Sequence, residues 1–238
     1  MSEFTISDRF GYVLSMEQRY HMIRQTGFDG VMLWWSEAFE QRDYLNTSLM
    51  AHKEGLFIEN IHAPFVEIDN FWRDNLLGDA LTGCFLQCVV DCDAFEIPTM
   101  VMHLSSCLND LPPLTALGLD RMKRIAEMAE RHGVNVALEN LLKNDYISFI
   151  FDHIDSPNIG FCYDSGHHNF LTPNEDLLSQ YSSRLMALHL HDNDGDDDQH
   201  ILPFDGTIGW PATMKKITEI GYSGSVALLL HYLYNKFL

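Results

Sequence analysis

Positive charge is scarce in this chain. Lysine and arginine together number 15 against 34 aspartates and glutamates, a formal net charge of −19. Affinity for nucleic acid depends on neutralising phosphates with Lys and Arg, so this balance argues against DNA or RNA as partner. Long apolar runs are missing as well. Stretches such as Val226 to Leu230 fall far short of the roughly 20 residues needed to cross a bilayer. The N-terminal MSEFTISDRF has neither the basic nor the apolar region of a secretion signal, and the expectation is a cytoplasmic protein with no membrane partner. Cysteine is sparse and odd in number: there are five, and none forms a CxxC pair. Cys84, Cys88 and Cys92 recur every fourth residue, which reads as a buried thiol-lined helix face rather than a cluster site. Linker-like composition is absent apart from one acidic stretch, Asp192 to Asp198.

What is present suits one compact core. Hydrophobic residues make up 46% of the 238 positions, and α/β barrels commonly reach this length as a single unit, so residues 1–238 are read as one domain. Eight short runs with strand character recur: Phe10 to Leu14, Asp29 to Trp35, Leu56 to Ala63, Thr99 to Ser105, Val134 to Asn140, Ile159 to Gly166, Leu185 to Asp192 and Ser225 to His231. Helical patterns separate them, most clearly Leu117 to His132 with Leu119, Met122, Ile125, Ala126 and Ala129 on one side. Glycines at 27, 55, 133 and 224 precede four of the strands and are expected to cap the preceding helices in the left-handed conformation. The alternation and the count favour an α/β fold of the (β/α)8 TIM barrel type over an open doubly wound sheet. Only Tyr232 to Leu238 follow the eighth run, too few for a last outer helix. That flank is expected to be thinly covered, or covered by a second copy in a homo-oligomer.

Barrel active sites form at the C-terminal ends of the strands. Six runs carry a metal-binding residue there: His62, His103, Glu139, Asp164, His189 and His231. Any one of these alone reads as a hydrogen-bonded structural residue; together they read as a ligand set, because several buried imidazoles and carboxylates without a metal are costly. Trp34 and Trp35 at the end of the second run, and Phe65 and Trp72 after the third, are candidates for a substrate-binding wall, with core packing as the alternative. His21, His52, His132 and His153 fall in helical stretches and read as surface or capping residues.

These motifs resemble the xylose isomerase-like barrels, which include sugar isomerases and epimerases, inosose dehydratases and endonuclease IV. The resemblance runs across nearly the whole chain. It rests on ALENL around Glu139, on Asp164 and His167 as D-x-x-H, and on His189 to Asn193 as H-L-H-D-N. It implies a core metal on Glu139, Asp164 and His189. Similarity to the endonuclease IV branch adds His62 and His103, then Asp198, His200 and His167, as ligands of further metals, with PFDGTIGW resembling that branch's G-x-I-G turn. On the last strand the resemblance places a glutamate where this chain has Leu229. That departure puts two-base epimerisation in doubt and leaves His231 to act in its stead.

The resemblance implies a metal-dependent isomerase or epimerase of carbohydrate metabolism, acting on a small sugar or sugar phosphate through an enediolate with Glu139 as base. The expected cofactor is a divalent cation, zinc first because imidazole-rich sites suit it, then manganese. Two rivals stand beside it: a multi-zinc phosphoester hydrolase working on a small substrate, and a noncatalytic metal- or carbohydrate-binding barrel.

Overall fold

The computed structural model describes residues 3–10, 14–35, 44–107 and 110–230. Eight strands pair in parallel in the order β7-β6-β5-β4-β3-β2-β1-β8. They are β1 Phe4–Ser7, β2 Gly30–Trp34, β3 Phe57–His62, β4 Thr99–Met102, β5 Asn135–Glu139, β6 Ile159–Asp164, β7 Leu185–His189 and β8 Val226–Leu228. Beyond the ladders, Leu190 bridges Leu228, with Leu190 N donating to Ala227 O at 2.8 Å and Leu229 N to Leu190 O at 3.0 Å. These bonds bring the two edges together into a nearly closed (β/α)8 barrel. Around it run α1 Met16–Gln25, α2 Tyr44–Lys53, α3 Leu76–Ala94, α4 Ala116–His132, α5 Asp145–His153, α6 Ser165–Leu171, α7 Leu177–Gln180 and α8 Trp210–Ile220. None of the described helices is long and apolar enough to cross a membrane.

The sequence pattern explains how these elements form. In α4 the Thr115 hydroxyl accepts from Gly118 N at 3.1 Å and caps the first turn. Met122, Ile125, Ala126 and Ala129 bury one stripe against the barrel, and Gly133, at φ 67, ends the helix. β4 and β6 are buried at every position, as expected of strands covered by helices on one face and by the barrel interior on the other.

Two expectations are corrected. The first strand is Phe4–Ser7 rather than Phe10 to Leu14; residues 11–13 of that run lie outside the described residues. Its four residues are too short to show alternation, so the more aromatic run beside it drew the assignment. The turn into β8 is made by Gly221, at φ 81, as the C-cap of α8, and not by Gly224. The end of the chain from His231 onward, with the expectation about the last flank, lies outside the described residues.

The register fixes what faces inward. Val101 pairs with Ala137 and Cys162 with Ala187, and these four side chains form a small buried cluster of their own. Two residues further along each chain, hence on the same face, come His103, Glu139, Asp164 and His189. A layer of small residues thus supports a layer of ligand-type residues at the mouth.

Gly118 gives a test of the packing of α4 against the segment that leads into α3. On an open helix Gly→Ala would stabilise by roughly 1 kcal/mol. Here a Cβ would overlap the Trp72 ring, which is 1% exposed and has no room to retreat. Gly118→Ala is expected to destabilise by about 1–3 kcal/mol, read as a lower melting temperature; an unchanged or raised one would contradict this packing.

Candidate metal centre

Glu139, the last residue of β5, sits at the centre of the mouth and is 2% exposed. Four imidazoles surround its carboxylate. Oε2 lies 3.2 Å from His62 Nε2 and 3.3 Å from His103 Nε2; Oε1 lies 3.3 Å from both His167 Nδ1 and His189 Nδ1. Burial pushes the Glu139 carboxyl up, but His189 and His103, with hydrogen bonds from His103 and His167, outweigh it and hold the group well below the usual carboxylate range. Burial pushes His62 down, and the Glu139 contact offsets this only in part.

Asp164 ends β6 and caps α6, which starts at the next residue. Its Oδ1 accepts from His167 N at 2.7 Å. This cap is the physical content of the D-x-x-H spacing: the aspartate starts the helix whose third residue returns an imidazole to the same centre. His191 Nε2 lies 3.0 and 3.1 Å from the two oxygens of Asp164. Burial raises the Asp164 carboxyl, yet His167 and His191 hold it below its ordinary range. Burial likewise pushes His167 down, while Asp164, Asp198 and Glu139 outweigh it and raise the imidazole well above its ordinary value of 6.5.

The loop after β7 closes the ring of side chains. Asp192, fully buried, accepts from Asn193 N at 2.9 Å, Phe204 N at 2.9 Å, Ile208 N at 3.2 Å and Trp210 Nε1 at 2.7 Å. Its backbone exchanges two hydrogen bonds with Ile201. This knot folds the loop back, so that Asp198 Oδ2 lies 3.4 Å from His167 Nε2 and Asp198 Oδ1 3.3 Å from His200 Nδ1. The His200 ring stacks on His191 at 3.8 Å and 3°. Burial and the neighbouring His191 push His200 down to about 4, while the nearby Asp164 and Asp198 overcome burial and raise His191.

Four groups of side chains bring ligand atoms within 4.8 Å of one another: His62, His103 and Glu139; Glu139, Cys162 and His189; Glu139, Asp164 and His167; and His191, Asp198 and His200. Several atoms of these residues have no hydrogen-bond partner among the described residues, namely both ring nitrogens of His189, Nδ1 of His191 and Oδ1 of Asp198. Buried polar atoms are normally paired, and leaving them bare costs on the order of 1–3 kcal/mol each. The donor set of imidazoles and carboxylates fits a divalent cation.

The structure brings together His62, His103, Glu139, Asp164, His167, His189, Asp198 and His200, all of which the sequence singles out. Of the aromatic candidates, Trp34 stacks on His62 at 4.5 Å, and Phe65, 39% exposed, lies 5.0 Å from His103. Trp35 and Trp72 sit elsewhere: the Trp35 indole donates to Asp91 Oδ2 at 2.8 Å and the Trp72 indole to Leu104 O at 2.6 Å, both deep in the core. Leu229 is buried and follows Ala227 by two, so it shares the face of Ala227, whose register partner is Thr5. His231 lies outside the described residues. Sequence reasoning missed His191 and Cys162. The period-2 rule marks both, since His191 follows His189 by two and Cys162 precedes Asp164 by two.

Residues 21–231 match the family described as xylose isomerase-like TIM barrel, and the chain belongs to that family. It is 38% identical over 104 residues to uncharacterized protein y4fM of Sinorhizobium fredii, a match covering 41% of this chain and only 33% of that protein. Against uncharacterized protein MJ1311 of Methanocaldococcus jannaschii it is 24% identical over 234 residues, covering 90% of this chain and 78% of that one. Among solved structures, it is similar to a D-tagatose 3-epimerase-like protein, with a TM-score of 0.80 at 20% identity, covering 98% of this chain and 92% of that one. D-psicose 3-epimerase with D-tagatose from Clostridium cellulolyticum H10 gives 0.77 at 16%, covering 97% and 85%. The 3-keto-D-glucoside 4-epimerase YcjR from E. coli gives 0.75 at 15%, covering 98% and 94%. At these identities the likeness establishes the fold.

Proposed function

We infer that this protein is a metal-dependent enzyme of the sugar isomerase and epimerase type, acting on a small sugar or sugar phosphate. The observation that carries the reading is Glu139, a buried carboxylate held anionic among four imidazoles at the mouth of the barrel. The three structural neighbours described above bear the names of sugar epimerases or epimerase-like proteins, which supports a small sugar as ligand. Glu139, Asp164 and His189 would hold the ion, with zinc favoured over manganese by the imidazole content. Bound there, a divalent cation supplies Lewis-acid polarisation of adjacent sugar oxygens.

The remaining roles fall to the chain itself. Glu139, already ionised at neutral pH, takes the proton from carbon. Trp34 and Phe65 give the sugar ring an apolar face against which to orient. Leu229 offers no acid or base on the strand where the family resemblance places one. A single carboxylate can move a proton between adjacent carbons on one face of the sugar, whereas inversion at one carbon needs groups on both faces. This favours aldose–ketose isomerisation over epimerisation. The test is incubation of candidate aldoses and ketoses in D2O: one-sided exchange with interconversion of the two sugars supports the reading, and full retention of carbon-bound hydrogen with every sugar contradicts it.

A second reading has its own observation. Glu139 turns one oxygen to His62 and His103 and the other to His167 and His189, and the His191, Asp198 and His200 group lies beside it. That layout suits a centre of two or three ions hydrolysing a small phosphate ester. A net charge of −19 disfavours nucleic acid as its substrate. Metal stoichiometry separates the two readings, one equivalent against two or three.

Acidity should weaken metal binding from an unusually high pH. Ligands bind in their deprotonated forms, so protons compete with metal. His167 is raised well above 6.5 by Asp164, Asp198 and Glu139, and two of these, Glu139 and Asp164, are carboxylates the ion would use, so its proton competes with the ion for them. Zinc affinity is therefore expected to go on rising as pH increases beyond neutrality, and a competition titration showing a flat affinity above pH 7 would contradict this.

A further inference from the structure

We propose that Cys162 is itself a ligand of the ion held by Glu139 and His189, making this a thiolate-containing centre that selects zinc over manganese or magnesium. The proposal rests on the metal-dependent reading above and adds to it a sulfur donor from the barrel wall.

Three observations converge. The first is placement: Cys162 is fully buried, is the register partner of Glu139 across the β5–β6 ladder, and lies two residues before Asp164 on the same face of β6. Its Sγ, a Glu139 oxygen and a His189 nitrogen all lie within 4.8 Å of one another, close enough for one ion to touch all three after small side-chain shifts. The second is His189, 1% exposed with both ring nitrogens lacking a hydrogen-bond partner among the described residues, and with Nδ1 3.3 Å from Glu139 Oε1. A buried imidazole that faces a carboxylate without a well-formed hydrogen bond to it is suited to share an ion with that carboxylate. The third is Leu229, buried on the face of Ala227, whose partner Thr5 pairs with Gly30 on the face of Trp34 that meets His62. Leucine offers no ligand atom at this part of the wall, and Cys162 on β6 can supply a negative donor instead.

The alternative is that Cys162 only fills space, as a small member of the layer with Val101, Ala137 and Ala187. The two roles differ in chemistry. As filler, the thiol is replaceable by alanine with no effect on the metal. As ligand, it forms a metal–sulfur bond and releases its proton to solvent when the ion binds, and a soft sulfur donor biases the site toward zinc and cobalt over manganese and magnesium.

The experiment is a cobalt(II) titration of the metal-free full chain, followed by absorption spectroscopy on wild type, Cys162→Ala, Cys162→Ser and, as a control for the exposed thiol, Cys107→Ala. Wild type and Cys107→Ala are expected to show a near-ultraviolet thiolate-to-cobalt charge-transfer band beside the visible d–d bands. Both Cys162 variants are expected to lose the charge-transfer band while keeping d–d absorption, since Glu139, Asp164 and His189 remain. In a measurement that needs no variant, X-ray absorption of the wild-type zinc protein should show a sulfur neighbour at about 2.3 Å. Cobalt d–d bands without charge transfer in wild type, a charge-transfer band that survives in either folded Cys162 variant, or a zinc shell free of sulfur would each overturn the assignment of Cys162 and leave the metal-dependent reading standing. Failure of wild type to take up cobalt or zinc at all would overturn both.

Discussion

Glu139→Gln protein is expected to lose about 10² to 10⁴ in turnover of any sugar that the wild type interconverts, the usual loss when a general base is removed. The substitution keeps the side chain's size and one carbonyl acceptor but removes the negative charge on which four imidazoles converge. Two consequences should appear together. Metal content falls, because an amide is a weaker ligand than a carboxylate, and the proton acceptor disappears. Reconstitution with excess zinc separates them: restoring the metal should leave most of the rate loss in place if Glu139 takes the proton. Full recovery of turnover on saturation with zinc would show that Glu139 only holds the ion. The fold should persist, since the barrel's inner layer beneath Glu139 is formed by Val101, Ala137, Cys162 and Ala187, which the change does not touch.

Leu229→Glu should act in the opposite direction. Leu229 is 4% exposed and shares its face of the chain with Ala227, so a carboxylate there enters the barrel mouth across from Glu139. With metal bound, the new group adds an anionic ligand and tightens the site. It also provides the second acid or base that inversion at carbon requires, so proton exchange at the carbon next to a ketose carbonyl should rise, by up to about 10² to 10⁴ if the group is well placed. A buried glutamate with no partner would instead destabilise the fold by several kcal/mol. Metal titration and thermal melts on the same protein distinguish the cases. A lower melting temperature with unchanged metal affinity would mean that position 229 faces away from the ion.

The parts of the molecule legible from sequence are those governed by short-range periodicity. Strand character is plain in runs such as Val134 to Asn140, whose apolar Val136, Ala137 and Leu138 stop at the polar Glu139, as in a strand buried on both faces. The ligand set followed from that rule, since Glu139, Asp164 and His189 each end a strand. β1 was missed because four residues cannot display a pattern and its neighbour Phe10 belongs to the loop that follows. Trp35 and Trp72 show a different limit. Both follow strand ends in sequence, but which way an indole turns depends on partners far along the chain, Asp91 and Leu104. His191 was hidden for a related reason: it lies in plain view within H-L-H-D-N, yet its contact with Asp164 joins the ends of two strands and is set by barrel closure. The role of Asp192 as the knot of the loop could not be read at all, because four donors spread over residues 193 to 210 converge on it only after folding.

The central claim is that the mouth of this barrel is a metal site organised by Glu139, and elemental analysis coupled to metal titration tests it most directly. Protein purified without chelator, or stripped and reconstituted with zinc, manganese and cobalt in turn, is expected to hold at least one equivalent of divalent ion, with zinc bound more tightly than manganese, and Glu139→Gln is expected to hold markedly less. Retention of less than about one-tenth of an equivalent of every ion by the folded wild type, or uptake by Glu139→Gln equal to that of wild type, would contradict the account.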